Sequence, residues 1–178
     1  MFKKNIFKVI ELKALKLWSL DEVKNYLRVS HNYDNEIIQS LIGSAIDSAE
    51  NFLGLSLHRR TVVFTCNLPG KRGFHLKFHP VIEVSEVSLK FAENVQELSK
   101  EDYYLDPEYS TLYLKQALGR EELKIIFSAG SQPSEIPDAI KQGILLHTCA
   151  MYDRENDCAA GLSNEIKNLY YPYKKMRL

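Results

Sequence analysis

His75 and His79 stand four residues apart, the spacing at which two imidazoles on one helix face can share a zinc ion. Their neighbours argue for a different backbone. In "GFHLKFH", Phe74, Leu76 and Phe78 alternate with His75, Lys77 and His79, the pattern of a strand buried on one face. Lys77 then sits between the histidines as a protonated amine, and no nearby Glu or Cys completes a ligand set. No metal site is expected.

His147 and Cys149 pose the second question, that of a thiol nucleophile with its base. Residues two apart on a helix point in nearly opposite directions, so the imidazole cannot take the thiol proton. A core thiol beside a boundary histidine is the expected arrangement. The carboxylates of "SKEDYYLDPEY" fall in turn-like sequence and are expected to be solvated. A Gly-rich phosphate loop, Gly-x-Ser-x-Gly and His-Glu-x-x-His are all missing from the sequence, which moves the weight from catalysis to binding or assembly. No catalytic, cofactor or metal residue is assigned.

The C-terminus carries the remaining chemistry. Tyr170, Tyr171 and Tyr173 run into Lys174, Lys175 and Arg177, a mixture that can contact phosphates and stack on bases, or can dock as a strap on a protein surface. Pro172 in its middle favours an extended, docked strap. These six residues are the candidate partner-binding set.

The chain has 178 residues, 45% of them hydrophobic and 26% charged, enough apolar material for one core and a small appended subdomain. Lys plus Arg and Asp plus Glu are 23 each, so the whole chain lacks the positive footprint of a dedicated duplex-DNA binder. Cys66, Cys149 and Cys158 are odd in number and lack Cys-x-x-Cys spacing, which reads as free thiols in a reducing compartment. In "MFKKNIFKVIELKALKL", Lys8, Glu11 and Lys13 interrupt the apolar stretch a secretory signal needs. No window has the roughly 18 apolar residues in a row that a membrane span requires. A cytoplasmic protein is expected, its N-terminal arm a loose amphipathic helix or an extended strap docked on its own core or on a neighbour.

Ser19 with Glu22 forms a capping-box pair, predicting a helix from about Leu20 to Val29 with Leu20, Val23, Lys24 and Leu27 on one stripe. "SHNYDN" breaks it, and Asp34 is the expected N-cap of a long helix ending at Gly54. Its apolar face runs through Ile38, Leu41, Ile42, Ala45, Ile46, Ala49 and Leu53, and Gly43, Ser44, Ala45, Ser48 and Ala49 leave room for another helix. The period then changes to two. "RRTVVFTCNL", "GFHLKFH", "VIEVSEVSLKF", "YYLD", "TLYLK" and "ELKIIFSAG" read as strands, with Asn67–Gly73 as a hairpin-like link between the first two. Pro137 is expected in the first turn of a further helix striped by Ile140, Ile144, Leu145, Thr148 and Met151. "CAAGLSN" reads as a loop.

The order and spacing of these pieces resemble the head-tail connector, or head-completion adaptor, family of tailed bacteriophages and prophages, in its long form with a β-rich insertion. The segments that carry the resemblance are "SLDEVKNYLRV", "DNEIIQSLIGSAIDSAENFLG", "HPVIEVSEV", "YYLD", "LKIIFSAG", "IPDAIKQGILLHTCAMYDREN" and the terminal "LYYPYKKMR". Met151 stands where the family often has Trp, and His79 where it often has a second proline. The resemblance implies a structural protein without catalysis: a ring of about a dozen copies on the portal vertex, extending the DNA channel and offering a surface to the tail or a second connector. It places the protein at the head-tail junction of the virion, assembled in the bacterial cytoplasm, with DNA passing unread. The rival reading is a nucleic-acid-binding accessory factor in packaging, acting through Lys71, Arg72 and the basic C-terminus.

The expected fold is α+β, with N- and C-terminal helices packed as a small helical core and an inserted antiparallel β subdomain. The divisions are an arm over 1–18, helical core over 19–56, β subdomain over 57–130, the C-terminal helix over 131–160 and a docking tail over 161–178.

Overall fold

The computed structural model describes residues 5–67, 69–117, 119, 121–153 and 161–175. The fold is α+β and resolves into two compact units, one of residues up to Ala14 with His58–Ser131, the other of Leu15–Leu57 with the chain from Gln132 onward.

The β unit contains strands β1 (Ile6–Leu12), β2 (Arg60–Cys66), β3 (Gly73–His75), β4 (Val81–Phe91), β5 (Asn94–Glu97), β6 (Tyr103–Asp106), β7 (Thr111–Leu114) and β8 (Glu122–Ala129). Five of them form one sheet in the order β1-β2-β8-β4-β5, and three a second in the order β3-β7-β6, every neighbouring pair antiparallel. The inward residues come from strict alternation. Val62, Phe64 and Cys66 on β2 face Leu123, Ile125, Phe127 and Ala129 on β8's buried side, and they join Phe74, Leu76, Leu112 and Leu114 in one core. Burial pushes the Cys66 thiol up from its ordinary pKa, against a smaller opposing pull from Lys71, as suits an unreactive core thiol.

β4 departs from simple alternation. Its apolar residues Val81, Val84 and Val87 recur every three positions, and a strand keeps such residues on one face only by inserting an extra residue between them. The register of β4 against β8 shifts at Val81/Glu83 and again at Val84/Glu86, two bulges that do this. On the opposite face Glu86 accepts from Lys124 at 3.0 Å and from Ser88 at 2.9 Å, and these bonds lower its pKa.

Two expectations change here. The arm is neither helix nor free strap, because Ile6–Leu12 adds to β2 as an edge strand with Phe7 stacked on Phe64 at 4.6 Å. Asn67–Gly73 does not close a hairpin either. β2 pairs with β1 and β8 while β3 pairs with β7, since long-range alternating partners offer β2 a full seven-residue ladder that three-residue β3 cannot.

The helical unit holds α1 (Leu20–Leu27), α2 (Asn35–Leu53), α3 (Asp138–Tyr152) and α4 (Asn164–Tyr170), the last running into a 3-10 turn over Tyr171–Tyr173. Ser19 caps α1 as expected, its hydroxyl accepting from Glu22 N–H at 3.2 Å while Ser19 N–H donates to Glu22 at 2.7 Å. These bonds lower the Glu22 pKa. A depressed carboxyl stabilises the fold above its ordinary range and loses that contribution as pH falls through the folded-state value. Hydrogen exchange across α1 is therefore expected to accelerate on acidification in the wild type, and Ser19→Ala should show fast exchange already at neutral pH with little further acid response.

Asp34 holds the N-cap position of α2 but makes no capping bond; its carboxylate accepts from the Tyr152 hydroxyl at 2.6 Å, tying the start of α2 to the end of α3. Of the small residues on α2, only Ala45 and Ala49 are buried, joined by Ile46, Leu53, Ile140, Ile144, Ile166 and Tyr170 in the core. Ser44 and Ser48 bond instead to carbonyls one turn back, and Gly43 faces open space. Pro137 sits one place earlier than expected, at the N-cap of α3. His147 is buried and Cys149 half-buried, the reverse of the expected arrangement, because α3 turns Ile140, Gly143, Ile144, His147 and Thr148 inward. Cys158 lies outside the described residues. No helix among the described residues is long and apolar enough to cross a membrane.

Candidate assembly surface

The C-terminal tail is built by helix physics that its composition concealed. Ser163 accepts from Ile166 N–H at 3.3 Å and starts α4, so the segment read as an extended strap is helical through Tyr170, with Pro172 tolerated in the 3-10 turn that follows. α4 turns Ile166 and Tyr170 inward.

Tyr170 is fully buried, its ring lying on Gly143 of α3 so closely that a Cβ there would overlap it. Burial drives its phenol pKa far upward, keeping the group neutral. Phe52 of α2 contacts Tyr170 at a centroid distance of 5.9 Å and takes the edge of Tyr171 at 5.6 Å. Lys174 lays its ammonium 4.5 Å above the Phe52 ring, and Lys175 N–H donates to Leu53 C=O at 3.0 Å, fastening the tail to the end of α2.

Of the six candidate residues, Tyr170 is thus withdrawn into the core, where its contribution is packing. Tyr171, Tyr173, Lys174 and Lys175 are exposed along one short turn, with Tyr171 57% accessible. Arg177 lies outside the described residues. Phe52, which anchors the group, was legible only as part of α2's apolar face. Lys71 and Arg72, by contrast, belong to the β unit, where Lys71 leans on the Phe74 ring at 5.7 Å.

The histidines come together without forming a strand pair. The β3 ladder stops at His75, where the chain bends, yet the two rings lie 5.5 Å apart. His75 Nδ1 bonds the Tyr109 carbonyl and His79 Nδ1 the Ser110 hydroxyl, so both are held by the β6–β7 turn. A depression of about 190 Å³ in the β unit is lined by Glu11, Lys13, Arg59, Arg60, Thr61 and Glu83 among others. It is smaller than the roughly 300–1,000 Å³ of ordinary ligand sites. Its charges are of both signs, and Thr61 already donates to Glu11 at 3.1 Å.

Other large apolar side chains reach the surface at two places. Ile6, Val9, Ile10 and Leu12 are exposed on β1, and Phe91 and Val95 at the β4–β5 hairpin. These are the two outer strands of the five-stranded sheet, where backbone groups on one side have no ladder partner.

A family model described as head completion protein matches residues 16–160. No curated protein matches the sequence significantly. Among solved structures, a chain of the neck of an empty GTA particle, computed with C6 symmetry, is similar with a TM-score of 0.75 at 18% identity over 97% of each chain. A chain from the virion of a native gene transfer agent (GTA) particle gives 0.71 at 18% over 97% of each. A third, from the neck of a native GTA particle computed with C12 symmetry, gives 0.67 at 19%, over 96% of this chain and 97% of that one. At these identities the likeness is one of fold.

Proposed function

The chain belongs to the head completion protein family, and from that premise we propose that it is a structural subunit of a connector ring at the head-tail junction. The observation that carries this reading is the family match over residues 16–160, which spans parts of both units. The neck and virion neighbours, two of them solved with six-fold and twelve-fold symmetry, support a rotationally repeated assembly. In this role the protein docks on the portal vertex, extends the DNA channel and presents a surface to the tail or a further connector. It acts by contact and needs no catalytic step. It is assembled in the host cytoplasm and works in the virion.

Tyr171, Tyr173, Lys174 and Lys175 are the part of the helical unit best suited to a partner. They combine flat aromatic area with positive charge on a turn already fastened by Phe52 and Leu53, so little ordering remains to be done on binding. Replacing Tyr171 and Tyr173 by Ala together is expected to weaken portal binding by about tenfold or more. The thermal midpoint should stay unchanged, since both are exposed. Calorimetric titration and a melting curve test the pair of outcomes.

The assembly reading itself is tested by light scattering and electron microscopy of the full chain, alone and with its portal protein. Rings of about a dozen copies are expected; monomers under both conditions would overturn it. A fluorescence titration with duplex DNA across a salt series addresses the rival. A steep salt slope with micromolar affinity would favour the packaging accessory factor.

A further inference from the structure

We infer that the five-stranded sheet continues from one copy to the next, with β1 of one subunit adding in parallel to β5 of its neighbour. The inference rests on the ring reading above and specifies its contact. β1 and β5 are the two edges of one sheet, so the joining surfaces are different and lie on opposite sides. A contact of that kind is head-to-tail and repeats by rotation until a ring closes.

Strand direction follows from topology. All four steps in β1-β2-β8-β4-β5 are antiparallel, so β1 and β5 point the same way. When the next copy is placed beside the first with its sheet in the same order, its β1 runs parallel to β5.

The register then follows from side chains. Ile6 and Lys8 pair with Thr65 and Val63, on the sheet face turned away from the core; Val95 and Glu97 pair with Lys90 and Ser88, on that same face. Setting Ile6 beside Val95 places Lys8 beside Glu97, since each pair is two residues apart on its strand. Ile6 and Val95 are 57% and 64% exposed in the single chain, and Lys8 and Glu97 are exposed too. One register therefore matches apolar with apolar and base with acid. Both edges also lack the prolines with which solvent-facing edges are commonly blocked.

Within one chain Lys8 and Glu97 are separated by four strand spacings, roughly 19 Å, out of reach of a carbodiimide that joins only touching amines and carboxylates. The experiment mixes isotopically heavy and light full-length chains, treats the assembled rings with carbodiimide, and maps the linked peptides by mass spectrometry. A heavy-light Lys8–Glu97 link is expected. Lys8→Glu should lower the ring yield by about tenfold, and Lys8→Glu combined with Glu97→Lys should restore it. Rings that lack the link, or that tolerate Lys8→Glu unchanged, overturn the edge pairing and leave the connector reading standing. A heavy-light Lys8–Glu11 link in its place would mean β1 pairing with itself across a two-fold axis, which also overturns it. Finding no rings, with or without portal, removes the connector reading and the edge pairing with it.

Discussion

Replacing Tyr170 by Ala is expected to destabilise the helical unit by about 3–5 kcal/mol, the usual cost of emptying a fully buried aromatic site. The ring is 0% exposed, lies on Gly143, and meets Phe52 at 5.9 Å. Removing it would leave α4 with Ile166 as its only buried side chain and would uncouple the exposed turn that follows. Whole-protein stabilities are about 5–15 kcal/mol, so this single change takes a large part of the margin. Trp18 provides the readout. It is the one tryptophan in the sequence and is partly buried against the same helical core, so its fluorescence during urea unfolding follows this unit.

Tyr170→Phe separates packing from hydrogen bonding. The Tyr170 hydroxyl is buried without a hydrogen-bond partner among the described residues. Its loss should change stability by less than about 1 kcal/mol, or raise it, because the desolvated oxygen contributes no bond. A phenylalanine variant as unstable as the alanine variant would show that the hydroxyl, and not the ring, secures the tail. In the complementary direction, Gly143→Ala should cost about 1–3 kcal/mol by pushing the ring out of place.

The second large effect is expected at Gly130, at the end of β8. Its φ of 115° lies where side chains are strained, and a Cβ there would overlap the backbone of His58 and Arg59, which cannot swing aside as a side chain can. Its N–H also donates to Pro80 C=O at 2.9 Å, so the residue joins β4's start to β8's end. Gly130→Ala is expected to cost about 2–5 kcal/mol, the sum of backbone strain and overpacking. Calorimetry gives the loss, and hydrogen exchange should place it in β2 and β8. A melting temperature within a degree or two of the wild type would mean the turn can relax around a methyl group.

The two effects differ in what they predict for assembly. Tyr170→Ala disturbs the turn offered to a partner, so portal binding should fall together with stability. Gly130→Ala acts on the sheet that carries β1 and β5, so in the edge-pairing scheme ring formation should fail before portal binding does.

Where local signals were strong, the chain was readable residue by residue. The capping box at Ser19 and Glu22, the stop at Gly54 and the alternation in β2, β7 and β8 each depend on neighbours within a few positions, and each is present. The strands that escaped reading were β1 and β5, the sheet's two edges. Most of their residues are exposed, so neither carries the apolar alternation by which a strand is recognised. α4 was hidden for a related reason: aromatic and basic residues around a proline look like a strap, and one serine cap is a weak signal against them.

By itself, then, the sequence determined the fold class, the main helices, the core strands and the family, because hydrophobic period, caps and the order of segments are written along the chain. Only the tertiary structure decided that β2 pairs with β1 and β8 and not with β3, and that Tyr170 turns inward while Tyr171 and Tyr173 stay outside. Those outcomes come from competition among distant partners for the same edge or the same cavity. A choice of that kind is settled by which packing buries more surface and completes more backbone bonds, a comparison no local stretch of residues contains.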